Sequence, residues 1–122
     1  MSYAQRHSVT ITTDASGDAT GYTPVVTGQI VSIAYTKTDY ATGVDFDATG
    51  ESSATVFWAE DNVDSSKTVY PRAASHSTAG VALTYDGTRA VHTPVYASNE
   101  RIKIVIDEGG NTKTGAFVVI LA

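Results

Sequence analysis

A loop that cradles phosphate presents backbone amides between glycines and follows them with Lys and then Ser or Thr. The segment Gly110-Asn111-Thr112-Lys113-Thr114-Gly115 has that glycine spacing, but Ala116 and Phe117 stand where the Lys and hydroxyl residue would have to be. It therefore reads as a chain-reversing turn. Hard-cation chemistry would need converging carboxylates, for which Asp45 with Asp47, or Glu60, Asp61 and Asp64, are the candidates. Neither group has the alternating Asp/Asn ligands, central glycine and distal Glu of a calcium loop, so both read as solvated positions. His7, His76 and His92 lie far apart in the chain, without the paired spacing of a zinc helix and without any cysteine to complete a site. No serine sits in a Gly-x-Ser-x-Gly elbow. A Ser-His-Asp site is defined by geometry, so residue order alone leaves that possibility open.

The aromatic residues are the other chemistry-bearing set, because amphipathic rings bury area while keeping a polar tip. Trp58 and Tyr35 fall in strongly alternating segments and are expected in the core. Tyr40, Tyr85 and Tyr96 lie beside turn or loop residues and are expected to contact a partner.

The elements that must position these residues are strands. The chain has 18 Thr, 14 Val and 7 Ile against 2 Leu, and β-branched side chains fit a pleated surface better than a helix. His7 to Asp14 alternates around Val9 and Ile11, and Asp14 to Asp18 supplies a turn. Gln29 to Thr38 places Val31, Ile33 and Tyr35 on one face, and Ile30, Ser32 and Ala34 on the other. Val44 to Ala48 and Ala54 to Ala59 follow, with Val44 and Phe46 together and Val56 and Trp58 together. Glu60 to Ser66 reads as a polar loop, and Thr68 to Arg72 as a short strand stopped by Pro71. Between Ala73 and Pro94 no period emerges, which predicts a long irregular excursion of the kind that serves binding or assembly. Arg101 to Asp107 and Gly115 to Ala122 alternate cleanly and are expected to form a hairpin over Glu108 to Thr114.

Together these segments imply an all-β, single-domain antiparallel β-sandwich spanning residues 1–122, of jelly-roll or immunoglobulin-like type, because apolar residues at every second position let two sheets close on each other. A formal charge of -5 with scattered Lys and Arg argues against nucleic acid as a partner. No segment approaches the roughly 20 apolar residues of a membrane span, and Met1 to Ser8 has no signal-peptide core, so a soluble protein made in a cytoplasm is expected. No cofactor, metal or catalytic residue is expected.

One family resemblance is carried by specific stretches. Ser8-Val9-Thr10-Ile11-Thr12-Thr13-Asp14-Ala15-Ser16-Gly17-Asp18-Ala19, Val25-Val26-Thr27-Gly28-Gln29-Ile30, Val69-Tyr70-Pro71-Arg72 and Glu100-Arg101-Ile102-Lys103-Ile104-Val105-Ile106, with Gly109-Gly110 and Lys113-Thr114-Gly115, resemble small virion structural proteins of tailed bacteriophages. The likeness runs through nearly the whole chain and consists of turn and strand signatures. It implies a copy-rich, non-enzymatic subunit of the virion, made in the bacterial cytoplasm. Its first-choice role is a capsid decoration protein that binds and stabilises the assembled head. The alternatives are a neck or tail ring component, or a carbohydrate-binding host-attachment module. The implied partners are the major capsid protein or other virion subunits, with homo-oligomers on the particle. Contacts are expected from the segment 1–7, with Tyr3 and Arg6, and from the excursion 73–94. Arg72, Arg89 and Arg101 are the expected charged contacts, since Arg forks pair well with carboxylates. Tyr40, Tyr85 and Tyr96 are the expected aromatic ones.

Overall fold

The structure, a computed structural model, describes residues 4–84 and 86–122. These residues form eleven strands and no helix: β1 (Gln5–Thr12), β2 (Ala19–Tyr22), β3 (Val26–Lys37), β4 (Val44–Gly50), β5 (Val56–Val63), β6 (Lys67–Val69), β7 (Arg72–Ala74), β8 (His92–Pro94), β9 (Tyr96–Glu100), β10 (Ile102–Asp107) and β11 (Thr114–Leu121). Two antiparallel sheets carry the core. One runs β1-β11-β3, with β6 and β9 both paired to β3; the other runs β2-β10-β4-β5. Their apolar residues share one buried cluster, which includes Ile33, Tyr35, Phe117 and Val119 from the first sheet and Phe46, Ile102, Ile104 and Ile106 from the second. Burying each such side chain stabilises the fold by about 1.5–3 kcal/mol.

Strict alternation explains β4, β10 and β11, whose buried residues fall at every second position. It fails in β3 and β5 because each contains a bulge. Leu121 pairs with Ile30 while Ile120 pairs with Ser32, so Val31 is an extra residue and Ile30 turns inward with Ile33 and Tyr35. The expectation that Ile30 faces away from Ile33 is thereby corrected. In β5, Ala48 pairs with Trp58 and Thr49 with Val56, which makes Phe57 the extra residue. Phe57 and Trp58 are both buried and Val56 is exposed, so Val56 does not share a face with Trp58.

β5 also continues through Glu60–Val63, where the sequence predicts a loop. A second bulge lies there, with Asn62 at φ 56° and its N–H donated to Asp45 Oδ1 at 2.9 Å. The Glu60 carboxylate accepts from Trp58 Nε1 at 3.1 Å and from Lys67 Nζ at 2.7 and 2.8 Å. Its acidity belongs to an edge strand rather than to a loop.

The expected C-terminal hairpin does not form. β10 lies between β2 and β4, and β11 between β1 and β3, so the chain crosses from one sheet to the other between them. Glu108, Gly110 and Thr112 all adopt positive φ in this connection. Three of its amides are engaged within the fold instead of being left open to a phosphate. Gly109 N–H donates to Gly17 O at 2.9 Å, Thr112 N–H to Asp14 O at 3.0 Å and Lys113 N–H to Thr13 Oγ1 at 2.8 Å. The turn after β1 takes its shape from Asp14, whose Oδ1 accepts the N–H groups of Ser16 and Asp18, as the sequence anticipates.

The excursion is ordered rather than irregular. Arg72–Ala74 pairs with His92–Pro94, His76 bridges Ala82, and Thr84 bridges Ala90. At the junction of these three ladders the backbone closes a ring: Ser75 N–H donates to Val91 O (2.8 Å), Val91 N–H to Leu83 O (3.2 Å) and Leu83 N–H to Ser75 O (2.8 Å). Composition hid this because the ladders are one to three residue pairs long, too short to show a period.

Candidate interaction surface

The arm from Arg72 to Pro94 is an insertion into one edge strand. Val69 of β6 lies opposite Ile33, and Tyr96 of β9 lies opposite Gln29. Ile30 N–H donates to Val95 O, so β6 and β9 continue one another along the same side of β3. The arm leaves and re-enters at that line. It ends in two turns, one built on Ser77, whose hydroxyl accepts from Ala79 and Val81, and one built on Asp86, whose Oδ1 accepts from Thr88 and Arg89.

No described residue from Arg72 to Tyr96 is buried. Val81 and Leu83 are 63% and 42% exposed at the far end, while Tyr70 and Tyr96 are 64% and 61% exposed beside the base. Backbone hydrogen bonds therefore hold the arm together without any apolar core of its own. An isolated ladder of this kind is marginal in water, and contact with another surface would complete it.

The expected contact residues divide accordingly. Tyr3 and Tyr85 lie outside the described residues. Arg72, Arg89 and Tyr96 are exposed, and all three belong to the arm or its base. Arg72 donates to Pro71 O at 2.7 Å, and Arg89 pairs with Asp86 at 3.1 Å. Arg6 is exposed far from them, on β1. Arg101 is engaged within the chain, paired with Glu51 and stacked 4.0 Å above the Tyr22 ring.

Tyr40 is a correction: it is 2% exposed, its hydroxyl donates to Ile11 O at 2.7 Å, and burial pushes its pKa well above the ordinary tyrosine value. It packs on Gly115, where an added Cβ would come within 2.3 Å of its ring. The segment 1–7 is not wholly a free arm either, because Gln5, Arg6 and His7 pair with Leu121, Ile120 and Val119. The sequence pattern did not single out Val81 and Leu83, although both fall within the expected excursion. Isolated apolar residues among turn formers such as Ser77-Thr78-Ala79-Gly80 were the available signal.

A second surface feature is an open groove of about 600 Å³ lined by Asp14, Asp18, Asp47 and Asp107 together with Ala19, Thr20, Val105 and Ile106. Asp107 sits directly opposite Asp45 in the β10–β4 ladder, an unfavourable like-charge pair. Asp18 has its pKa raised, first by a hydrogen bond shared with Asp107, then by desolvation and by the charges of Asp107, Asp14 and Glu108. A raised carboxyl pKa means that ionisation weakens the fold as pH rises through it. Asp107→Asn is therefore expected to raise the thermal midpoint at neutral pH, with the gain shrinking as acid protonates Asp18. Calorimetry from neutral to acid pH measures it. Among the described residues no His, Asp or Glu side chains form a group that could hold a metal ion. No helix is long and apolar enough to cross a membrane. Compared with known protein families, curated proteins and solved structures, the chain matches none of them.

Proposed function

We propose that the chain is a structural protein of a tailed-phage virion: a two-sheet β-sandwich that decorates the assembled capsid and docks on the major capsid protein through its arm. The observation that carries this reading is the arm itself, tied by short ladders, projecting from the β3 edge and with no buried side chain among its described residues. A subunit that binds only the assembled lattice stabilises it by mass action, and the gain is repeated at every site.

The test replaces residues 75–91 by Asn-Gly, which closes β7 and β8 as a short hairpin. Because no described residue of the arm is buried, the variant is expected to melt within about 3 °C of the parent. It is also expected to lose addition to purified phage heads, read by cosedimentation. Heads that bind the shortened chain as well as the parent would refute the reading. Binding confined to a single ring at the neck or tail, seen by electron microscopy, would place the same arm in a connector instead. The exposed Tyr70 and Tyr96 favour one further reading, a sugar-stacking platform, which predicts glycan binding that either Tyr→Ala change removes.

A further inference from the structure

The two sheets expose edges of very different character. β2 is four residues long. β5 carries two register shifts and a left-handed Asn62. The β6–β9 edge is interrupted by the arm. β1 alone is long and regular, paired without a shift from Gln5 opposite Leu121 to Thr12 opposite Thr114. It contains no proline, glycine or lysine to discourage pairing.

Its free side can be identified. Thr13 N–H donates to Lys113 O at 2.8 Å, which fixes the odd-numbered residues as those whose backbone groups face β11. The backbone N–H and C=O groups of Arg6, Ser8, Thr10 and Thr12 then point outward, and all four side chains are exposed.

We infer that β1 pairs antiparallel with β1 of a second copy about a two-fold axis at Thr10, joining the two β1-containing sheets into one continuous sheet. Charge selects this occupant and this register. Centring on Thr10 sets Ser8 opposite Thr12 of the other copy and Arg6 opposite its Asp14, so the exposed cation on the strand meets a carboxylate twice, once at each end. Asp14 is exposed, and its Oδ1 caps its own turn while the second oxygen takes none of those bonds. Hydrogen bonds from Asp18 and Ser16 hold its carboxyl below the ordinary range, so it is ionised at neutral pH. The intervening hydroxyl residues form cross-strand pairs of a favourable type. The acidic β5 edge would also attract Arg6, but its two bulges cannot match a regular strand. An interface in which the same patch meets itself closes on two copies and does not propagate into fibres.

The test uses the full chain. Analytical ultracentrifugation should give a dimer at micromolar concentration that weakens with salt. Thr10→Pro removes an outward N–H that β11 does not use, so the variant should keep its far-ultraviolet spectrum and sediment as a monomer. The chain has no cysteine, so Thr10→Cys provides a direct probe. Paired Thr10 positions lie within disulfide reach, and oxidation should give a covalent dimer, whereas Ser8→Cys, whose counterpart is Thr12, should not. A parent chain that is monomeric throughout, a Thr10→Pro variant that remains dimeric, or equal cross-linking of the two cysteine variants would each overturn the inference.

Discussion

Glu100→Ala is expected to destabilise the fold by about 2–4 kcal/mol, more than any change to the exposed charges of this chain. Glu100 is buried where β9 passes into β10, at the corner between the two sheets. One carboxylate oxygen accepts the N–H groups of Ser52 (3.0 Å) and Ser53 (2.9 Å), and the other accepts the Ser53 hydroxyl (3.0 Å). It thereby holds the β4–β5 turn, in which Ala54 adopts positive φ. Gly50 makes room for it, since a Cβ there would come within 2.6 Å of the carboxylate. Truncation removes all three acceptor contacts at once. Glu100→Gln retains the shape and one acceptor oxygen, and is expected to cost about half as much.

The same bonds give the effect a pH signature. Donation from the Ser53 backbone, then from the Ser53 hydroxyl and the Ser52 and Ser98 N–H groups, lowers the Glu100 pKa against the opposing effect of burial. A lowered carboxyl pKa contributes stability that is complete above its unfolded value and is lost as pH falls through the folded one. Urea titrations should therefore show parent and Glu100→Gln converging in acid and separating toward neutral pH. Curves that stay parallel across the range would show that the carboxylate charge plays no part at this corner.

Glu100 illustrates what could and could not be read from the chain. Alternation located the strand Ile102-Ile104-Ile106 and its inward face, because burial on one side of a sheet leaves a mark at every second residue. Nothing local marked the residue just before that strand as a buried carboxylate, since its partners lie nearly fifty positions away. The same limit explains the missing hairpin. Alternation in Arg101 to Asp107 and in Phe117-Val119-Leu121 specifies faces, not neighbours, and a glycine-rich connection can turn the chain back alongside itself or carry it to the other sheet. Bulges were hidden for a related reason: Ile30 and Phe57 enter the core only because one residue nearby is left out of register.

The arm was legible in outline. The stretch lacking periodicity coincides with the arm, because residues that bury nothing are under no alternating constraint. Its order was not legible, since the closed ring at Ser75, Leu83 and Val91 consists of backbone groups that every sequence possesses. Tyr40 shows the opposite error. Its position near a turn suggested exposure, whereas the side-chain space left empty by Gly115, far along the chain, admits its ring.

Phe46→Ala is expected to cost about 3–5 kcal/mol and Phe46→Leu appreciably less, because leucine refills part of the cavity. Phe46 projects from β4 and touches rings from three other strands: Tyr35 at 4.7 Å, Trp58 at 5.0 Å and Phe117 at 5.1 Å between centroids. The Trp58 and Phe117 contacts are edge-on, at 74° and 86°, a geometry that adds to simple area burial. Since Tyr35 and Phe117 belong to one sheet and Phe46 and Trp58 to the other, this ring ties the two layers together. A domain of this size has about 5–15 kcal/mol in total, so the alanine variant should unfold at distinctly lower urea concentration with an unchanged slope. The contrast with the arm is the informative part. Under the proposed capsid role, shortening the arm should leave the urea midpoint in place and remove particle binding, whereas Phe46→Ala should lower the midpoint while the fraction still folded binds normally. If Phe46→Ala instead weakened binding with no loss of stability, the core and the proposed docking arm would not be separable as the buried cluster and the unburied described residues of the arm imply.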